Sequence, residues 1–379
     1  MSKKRSIFED VASDVAVQPA PQGGMIDAGR QGARGAVRVW LMLLFALVVI
    51  MITVGGLTRL TDSGLSITEW APLTGALPPL DAATWDSEFE KYRQIPEYQL
   101  QNKGMSLSEF KVIYWWEWGH RQLGRIIGVV WAAGFLGFLI ARKIPPGWTG
   151  RLLLLGALGG AQGAIGWWMV ASGLTGEMLD VASYRLAVHL GLAFFILGLI
   201  AWYVFRLGRE ERELLQARRS GERKLFGMAT GWSHFVFLMV LLGALVAGID
   251  AGRSYTDWPL MAGQFLPPMF WMPDLGARNF FENAGLVQFV HRIAAYILLV
   301  FATVVFIRSR KSANGDTRAA FLLAYLILWA QLVLGVATVL YAAPWQIAIV
   351  HQFFAVVLFV AVLRARFLAR YPVMQSVRA

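Results

Sequence analysis

The sequence contains no cysteine among its 379 residues, and only 16% of its residues are charged. The lack of cysteine excludes disulfides, thiolate metal ligands and cysteine-ligated iron–sulfur clusters. The charged fraction is below the roughly 25% of an average globular domain. Apolar residues are abundant instead, since 57% of the chain is hydrophobic and the mean hydropathy is +0.52. The composition therefore predicts a protein that crosses a membrane several times rather than a soluble one.

Eight apolar segments are long enough to span a bilayer as helices, because a spanning helix needs roughly 20 apolar residues. The stretch 1–35 before the first segment predicts a flexible tail, and it lacks the pattern of a cleaved signal peptide. The sequence thus predicts an all-α integral membrane protein with eight transmembrane helices. The predicted spans lie near 36–57, 114–140, 152–171, 184–205, 228–249, 286–307, 318–341 and 346–366.

Basic residues are concentrated on one side of the predicted spans. Lysine and arginine crowd the two tails and the connections 142–151, 206–224 and 307–318, whereas acidic residues concentrate in two long segments, 58–113 and 250–285. The positive-inside rule then makes both termini cytoplasmic and both long segments outward-facing. The net charge of +11 is therefore a topology signal, and no nucleic-acid partner is predicted.

The two halves of the chain repeat each other. GGLTRLTDSGLSITEW at 55–70 matches GALVAGIDAGRSYTDW at 243–258 at a constant offset, and EWGHR at 117–121 matches QFVHR at 288–292. Four spans return the chain to its starting side, so both halves have the same orientation. The repeat predicts two pseudo-symmetric four-helix bundles, an architecture that builds cofactor sites between facing helices. Shorter matches pair QGAIG (162–166) with QLVLG (331–335) and AVH (187–189) with IVH (349–351).

The predicted organisation has five regions. The N-terminal bundle covers 36–206 and the C-terminal bundle covers 228–366. A cytoplasmic linker at 207–227 joins them, and 1–35 and 367–379 are cytoplasmic tails. Each bundle contains four predicted spans and one long outer segment, and we expect each segment to close over a site in its own bundle.

Four histidines lie about one turn inside the same end of alternate spans: His120, His189, His291 and His351, two in each repeat. Ionisable side chains inside a membrane are costly and usually functional, and imidazole is a common axial ligand of haem iron. Zinc is the alternative metal, but its sites usually recruit cysteine or carboxylate beside histidine. The two pairs therefore predict two haem sites beneath one membrane face. His234 has no partner in the repeat, and its role is open.

The charged neighbours of these histidines differ between the halves. Arg121 and Arg292 each follow a histidine and are candidates for pairing with haem propionates, with contact to lipid headgroups as the alternative. Glu117 lies three residues before His120, on the same helix face, whereas the second half has Gln288 there. A carboxylate can move protons or stabilise positive charge, and an amide cannot. We therefore predict that Glu117 is catalytic, the alternative being a solvated carboxylate near a helix N-terminus.

These motifs resemble those of the heme A synthases of bacteria and mitochondria. The resemblance covers roughly 36–366 and rests on the signature at 55–70, on EWGHR and QFVHR, and on the histidines of the fourth and eighth spans. It implies oxidation of the C8 methyl group of heme O to a formyl group, giving heme A for cytochrome oxidase. It also implies two four-helix bundles in a bacterial inner membrane, with the haem sites towards the periplasm. The lack of cysteine pairs in the outer segments resembles the cysteine-free branch of the family.

The resemblance also assigns roles to individual residues. In the family the glutamate before the first histidine is essential, a role that maps onto Glu117. His120 and His189 correspond to the site of the substrate heme O, and His291 and His351 to a bound haem b cofactor. Heme O synthase and cytochrome oxidase assembly factors are candidate partners beside membrane lipids, and the electron donor is left open. The rival classes are a quinol-oxidising cytochrome b and a haem transporter, which a changed haem product separates from the enzyme.

Overall fold

The computed structural model describes residues 31–176 and 178–373. Eight helices in this part of the chain are long and apolar enough to cross a membrane, and the part contains no β-strand. The prediction of an all-α multi-span membrane protein is therefore confirmed. The predicted N-terminal tail up to residue 30 and the end of the predicted C-terminal tail from residue 374 lie outside the described residues. The long helices are α1 (Gln31–Leu60), α2 (Leu107–Ile140), α3 (Thr149–Val170), α4 (Ser183–Leu207), α5 (Arg223–Gly248), α6 (Ala284–Ser309), α7 (Gly315–Leu340) and α8 (Trp345–Arg370).

Shorter helices lie in the connections. We call the end of the molecule at which α1, α3, α5 and α7 finish the outer end, and its predicted orientation towards the periplasm stays a prediction. The predicted linker between the halves contains a helix at Glu211–Arg219, and α8 continues to Arg370, past the predicted end of the last span. The outer end contains helices at Ala82–Arg93, Pro96–Leu100 and Asn279–Glu282 and 3₁₀ turns at Thr74–Ala76, Ala251–Arg253 and Pro273–Arg278.

Helix α2 begins earlier than its hydropathy predicts. Ser106 and Glu109 form a capping box, in which the Ser106 hydroxyl accepts from the backbone N–H of Glu109 at 3.3 Å and the Glu109 carboxylate accepts from the N–H of Ser106 at 2.8 Å. Each side chain satisfies a backbone donor that the helix start leaves unpaired. His120 therefore lies roughly three and a half turns into its helix, and the prediction of one turn was wrong for this histidine. The first turn of α2 is polar, so the hydropathy of the sequence did not indicate that the helix begins there.

The helices of each half contact one another in a ring. In the first half α1 and α3 each pack against α2 and α4, and in the second half α5 and α7 each pack against α6 and α8. The halves meet where α4 contacts α5 and α8 and where α1 contacts α8. A Cβ on Gly198 of α4 would lie 2.9 Å from the ring of Phe359 on α8, so glycine permits this close approach. These contacts support the two predicted bundles, whose pseudo-symmetric arrangement stays a prediction.

The outer segment of the first half, residues 61–106, folds into a cap with its own apolar core; we call it the outer cap. The ring of Phe110, at the start of α2, lies 4.8 Å from that of Phe89 and 5.2 Å from that of Tyr92. Val181, from the connection between α3 and α4, joins the same buried cluster. The outer cap is therefore anchored on the first turns of α2 and covers the first half.

One arginine joins the two halves at the outer end. Arg59, in the last turn of α1, is paired with Asp62 at 2.9 Å, Asp180 at 3.4 Å and Asp250 at 3.0 Å. Asp62 and Asp250 are equivalent positions of the repeat, and both have left-handed backbones, with φ of 48° and 50°. The residue equivalent to Arg59 is Ala247. A single guanidinium thus balances carboxylates from both repeats.

We expect the substitution Arg59→Gln to lower the thermal unfolding midpoint of the purified protein by a few degrees, on the order of 2–5 °C. It removes the nearest counter-charge of three neighbouring carboxylates, although their side chains are 37–40% exposed and water screens part of the repulsion. The matched control is Arg253→Gln, because Arg253 is 48% exposed and lies 3.8 Å from Asp250. Equal shifts in scanning fluorimetry of the two variants would contradict the role of Arg59.

Candidate functional site

In the first half, both predicted ligands pack against glycine. A Cβ on Gly55 of α1 would lie 3.0 Å from Nε2 of His120, and a Cβ on Gly166 of α3 would lie 2.9 Å from the ring of His189. Gln162, one turn before Gly166, donates its Nε2 to the backbone carbonyl of His189 at 3.0 Å and lies 3.2 Å from its Nδ1. The helices that carry these two histidines, α2 and α4, both contact α1 and α3. The structure therefore brings the first predicted pair together.

The second half repeats this arrangement. A Cβ on Gly243 of α5 would lie 3.4 Å from the ring of His291, and one on Gly335 of α7 would lie 3.0 Å from that of His351. The helices that carry these two histidines, α6 and α8, likewise both contact α5 and α7. Within the described part of the chain, Nδ1 of both histidines is buried without a hydrogen-bond partner. Unpartnered buried nitrogens are uncommon in folded proteins and call for a ligand or water.

The four glycines facing the rings form two equivalent pairs of the repeat. Gly55 is equivalent to Gly243 in the repeat, and Gly166 is equivalent to Gly335. The sequence analysis did not predict the contacts of these four glycines with the histidine rings. Their recurrence at matching positions was the available signal, since glycine leaves room for a ring where any side chain would occupy it.

Glu117 is a buried ion-pair partner. Its Oε2 accepts from the Ser66 hydroxyl and from the backbone N–H of Ile67, both at 2.7 Å. Its Oε1 accepts from Nε and Nη2 of Arg121, at 3.0 and 2.6 Å. The carboxylate is only 3% exposed, so the alternative of a solvated group near a helix N-terminus is wrong. These bonds all go to the outer cap and to Arg121 rather than to His120.

Both predicted propionate partners bind backbone carbonyls of the outer segments. Nη2 and Nη1 of Arg121 donate to the carbonyls of Ile67 and Glu69, at 2.7 and 3.0 Å. The sequence reasoning missed this role, although the arginine and the outer signature recur together in both halves. In the second half, the same atoms of Arg292 donate, at 2.8 and 2.9 Å, to the equivalent carbonyls of Tyr255 and Asp257.

The charge at the two sites differs. In the first half Glu117 neutralises Arg121, whereas in the second half Gln288 only donates its Nε2 to the carbonyl of Tyr255 at 3.0 Å. Among the described residues, Oε1 of Gln288 and Nε of Arg292 are buried without a partner. The second site therefore keeps an arginine charge that no protein carboxylate balances closely, which suits an anionic group of a ligand.

Comparisons with known proteins identify the family. The family model described as cytochrome oxidase assembly protein (COX15-CtaA) matches residues 38–363. The chain belongs to this family. Its relatives include proteins named heme A synthase from Dinoroseobacter shibae (68% identical, covering 100% of this chain and 99% of the relative), Ruegeria pomeroyi (66%, 100% and 100%) and Paracoccus denitrificans (61%, 99% and 98%). The resemblance to heme A synthases drawn from the signature and the histidines is confirmed.

This member of the cytochrome oxidase assembly family carries a second buried carboxyl group in its outer cap. Glu97 is 3% exposed; its Oε1 accepts from Nδ2 of Asn102 at 3.3 Å, and its Oε2 is buried without a partner among the described residues. Burial raises the pKa of Glu97 to about 8, with further contributions from the carboxylates of Asp180, Asp62 and Glu117. The sequence reasoning missed this residue, because one glutamate in a polar segment has no distinguishing pattern.

We expect the outer cap to open more readily as the pH rises. The cap holds the proton of Glu97 up to about pH 8, whereas the opened segment releases it near its ordinary pKa of 4.5. The stabilising contribution is thus complete below pH 4.5 and is lost as the pH rises through about 8. Hydrogen exchange of residues 82–100, corrected for intrinsic rates, should increase across this window in the wild type and stay flat in Glu97→Gln.

The matched control for this measurement is Glu90→Gln. Glu90 lies in the same cap with a 60% exposed side chain. We expect this variant to keep the pH dependence of the wild type, because an exposed carboxylate has no burial to oppose its ionisation. Identical exchange profiles for Glu97→Gln and the wild type would contradict the role of the buried acid.

Proposed function

We propose that this protein is a heme A synthase, a membrane oxidoreductase that converts heme O to heme A by oxidising the C8 methyl group to a formyl group. Relatives of that name align with the chain over its whole length. The structural observation that carries the proposal is the presence of two histidine pairs, each ring facing a glycine of a neighbouring helix. Two imidazoles carried by two helices of one bundle suit the two axial positions of haem iron.

We assign heme O to His120 and His189, and a resident haem b to His291 and His351. The unpartnered Nδ1 atoms of the second pair support a resident group in that half. The guanidinium of Arg292, which forms no close ion pair among the described residues, suits the anionic propionates of such a group. A bound haem b would supply one-electron redox chemistry. The predicted pairing of Arg121 with a propionate is the weaker of the two arginine assignments, because Glu117 already balances its charge.

We assign the catalytic role to Glu117. Hydroxyl, amide and guanidinium donors surround its oxygens and fix the position of the carboxylate. Oxidation of a methyl to a formyl group takes two successive two-electron steps at one carbon. A fixed carboxylate of this kind can stabilise positive charge that develops on the carbon or accept a proton released from it. Gln288, its equivalent, lacks both abilities, which favours chemistry in the first half.

The rival classes fit these observations less well. A cytochrome b that moves electrons across a membrane usually needs one haem towards each face, whereas the four histidines here all lie on the outer halves of their helices. A transport function does not explain why one half has a buried carboxylate, Glu117, where the other half has an amide, Gln288. The difference at this one position therefore favours an enzyme.

The substitution Glu117→Gln tests the function and the role together, because it introduces the residue of the second half. We expect heme A formation to fall by roughly 10²-fold or more, with heme O persisting and haem b still bound. Haem extraction and chromatography of membranes from a heme-A-lacking host that also expresses heme O synthase would measure this. Full heme A production by the variant would contradict the role of Glu117, and none with the wild-type chain would contradict the proposed function.

Glycine substitutions test the assignment of the two halves. A methyl group at Gly335 or Gly166 would come within 3.0 Å of a histidine ring. We expect Gly335→Ala to lower the haem b content of the purified protein, and Gly166→Ala to lower the heme A yield while haem b stays bound. Gly163→Ala, on the same helix as Gly166 but with nothing within 4 Å of the added atom, should change neither. Loss of haem b from Gly166→Ala alone would reverse the assignment.

A further inference from the structure

The two halves share a polar contact directly beside the histidine sites. Gln352, which follows His351 on α8, donates its Nε2 to the backbone carbonyl of Ile52 on α1 at 2.7 Å. A Cβ on Gly56 of α1 would overlap the amide of Gln352, so the contact requires glycine at this position. A side chain of the second half is thus bonded to the backbone of the first.

This contact lies on a short path between the two sites. Gly55 and Gly56 are consecutive residues, and the first faces the ring of His120 while the second faces Gln352. His351 and Gln352 are likewise consecutive. The path from His120 to His351 therefore has three parts. The ring of His120 packs on Gly55, Gly55 is joined by a peptide bond to Gly56, and Gly56 packs on the amide of Gln352, which follows His351 in the chain. Close packing of this kind transmits displacement from one site to the other.

The equivalent contact on the other side of the interface is apolar. In the second repeat the residue equivalent to Gly56 is Ala244, which is buried. In the first repeat the residue equivalent to Gln352 is Leu190, which packs against the apolar core of the helices. Alanine and leucine are sufficient for α4 to pack against α5. Burying an amide instead is costly unless it is hydrogen-bonded, so packing alone does not account for Gln352.

We propose that Gln352 and Gly56 form a positioning pair that fixes the site of His351 relative to the site of His120 for electron transfer between them. The bond to the carbonyl of Ile52 sets the position of α8 along α1, and Gly56 sets their separation. With both groups bound, this geometry would serve the transfer of one electron from haem b, which would be oxidised, to heme O, which would be reduced. This inference rests on the proposed function and adds the contact through which the two sites hold a fixed geometry.

Substitutions that exchange residues between the repeats test the pair. Gly56→Ala alone places a methyl group against the Gln352 amide. The double variant Gly56→Ala/Gln352→Leu introduces the alanine and the leucine that occupy the equivalent positions, Ala244 and Leu190. The double variant should therefore fold and bind haem b as the wild type does, without the hydrogen bond. The matched control is Leu190→Met, a volume-conserving change on the apolar side of the interface, which should alter nothing measured here.

The first readout is electron transfer. The protein is prepared with haem b, reduced with dithionite, freed of excess reductant and mixed anaerobically with ferric heme O, and the loss of the reduced haem b absorbance is followed. We expect the rate to fall severalfold in the double variant, because electron transfer between two sites slows as their separation grows. Heme A yield in membranes should fall in parallel.

The second readout does not depend on bound haem. Because the chain contains no cysteine, spin labels at Val129→Cys on α2 and Leu326→Cys on α7, both outward-facing, report only the distance between the halves. We expect one narrow distance distribution in the otherwise wild-type protein and a broadened or shifted one in the double variant. A wild-type rate, or a slower rate with an unchanged distribution, would overturn the inference. Failure of the wild-type chain to make heme A would instead overturn the proposed function.

Discussion

The bonds from Arg121 and Arg292 to backbone carbonyls of the outer segments are the interaction on which the arrangement of both sites depends. Each arginine follows the first histidine of its pair, so it ties the segment above the site to the helix that carries that histidine. A guanidinium offers five donors in a rigid fork, and carbonyl acceptors place no demand on the side chains that carry them. The two outer segments can therefore differ in sequence and length while their anchor points stay equivalent.

Within this shared arrangement, two differences in sequence between the halves bear on the sites. The first half places a carboxylate against its arginine where the second half places an amide, and α8 has a glutamine where α4 has a leucine. The first difference changes the charge of a site, and the second changes how the halves are joined. The first exchange lies at a buried position, where charged and polar groups have their largest energetic effect, and the second lies at a half-buried one.

Much of the architecture followed from the sequence, because spanning helices are apolar over a length that the bilayer sets. The early start of α2 and the helices of the outer cap could not be read in this way, because their few apolar residues pack into a small local core. The contacts between glycines and histidine rings required knowledge of which helices are neighbours. The pairing of Glu117 with Arg121 was within reach, since glutamate and arginine four residues apart on a helix commonly interact. The bonds from Ser66 and Ile67 of the outer cap to the same carboxylate were not.

Arg59 has a further consequence for how such a molecule can arise. In a symmetric dimer of two separate, identical four-helix proteins, each residue would occur twice at the junction, so an arginine at this position would be present in both copies or in neither. In one polypeptide the arginine occurs once, because Arg59 has Ala247 as its equivalent in the second half. Arg59 pairs with both Asp62 and Asp250. When the two units are fused in one polypeptide, their sequences no longer have to be identical. One unit can therefore acquire a residue that the other lacks while both keep the same fold.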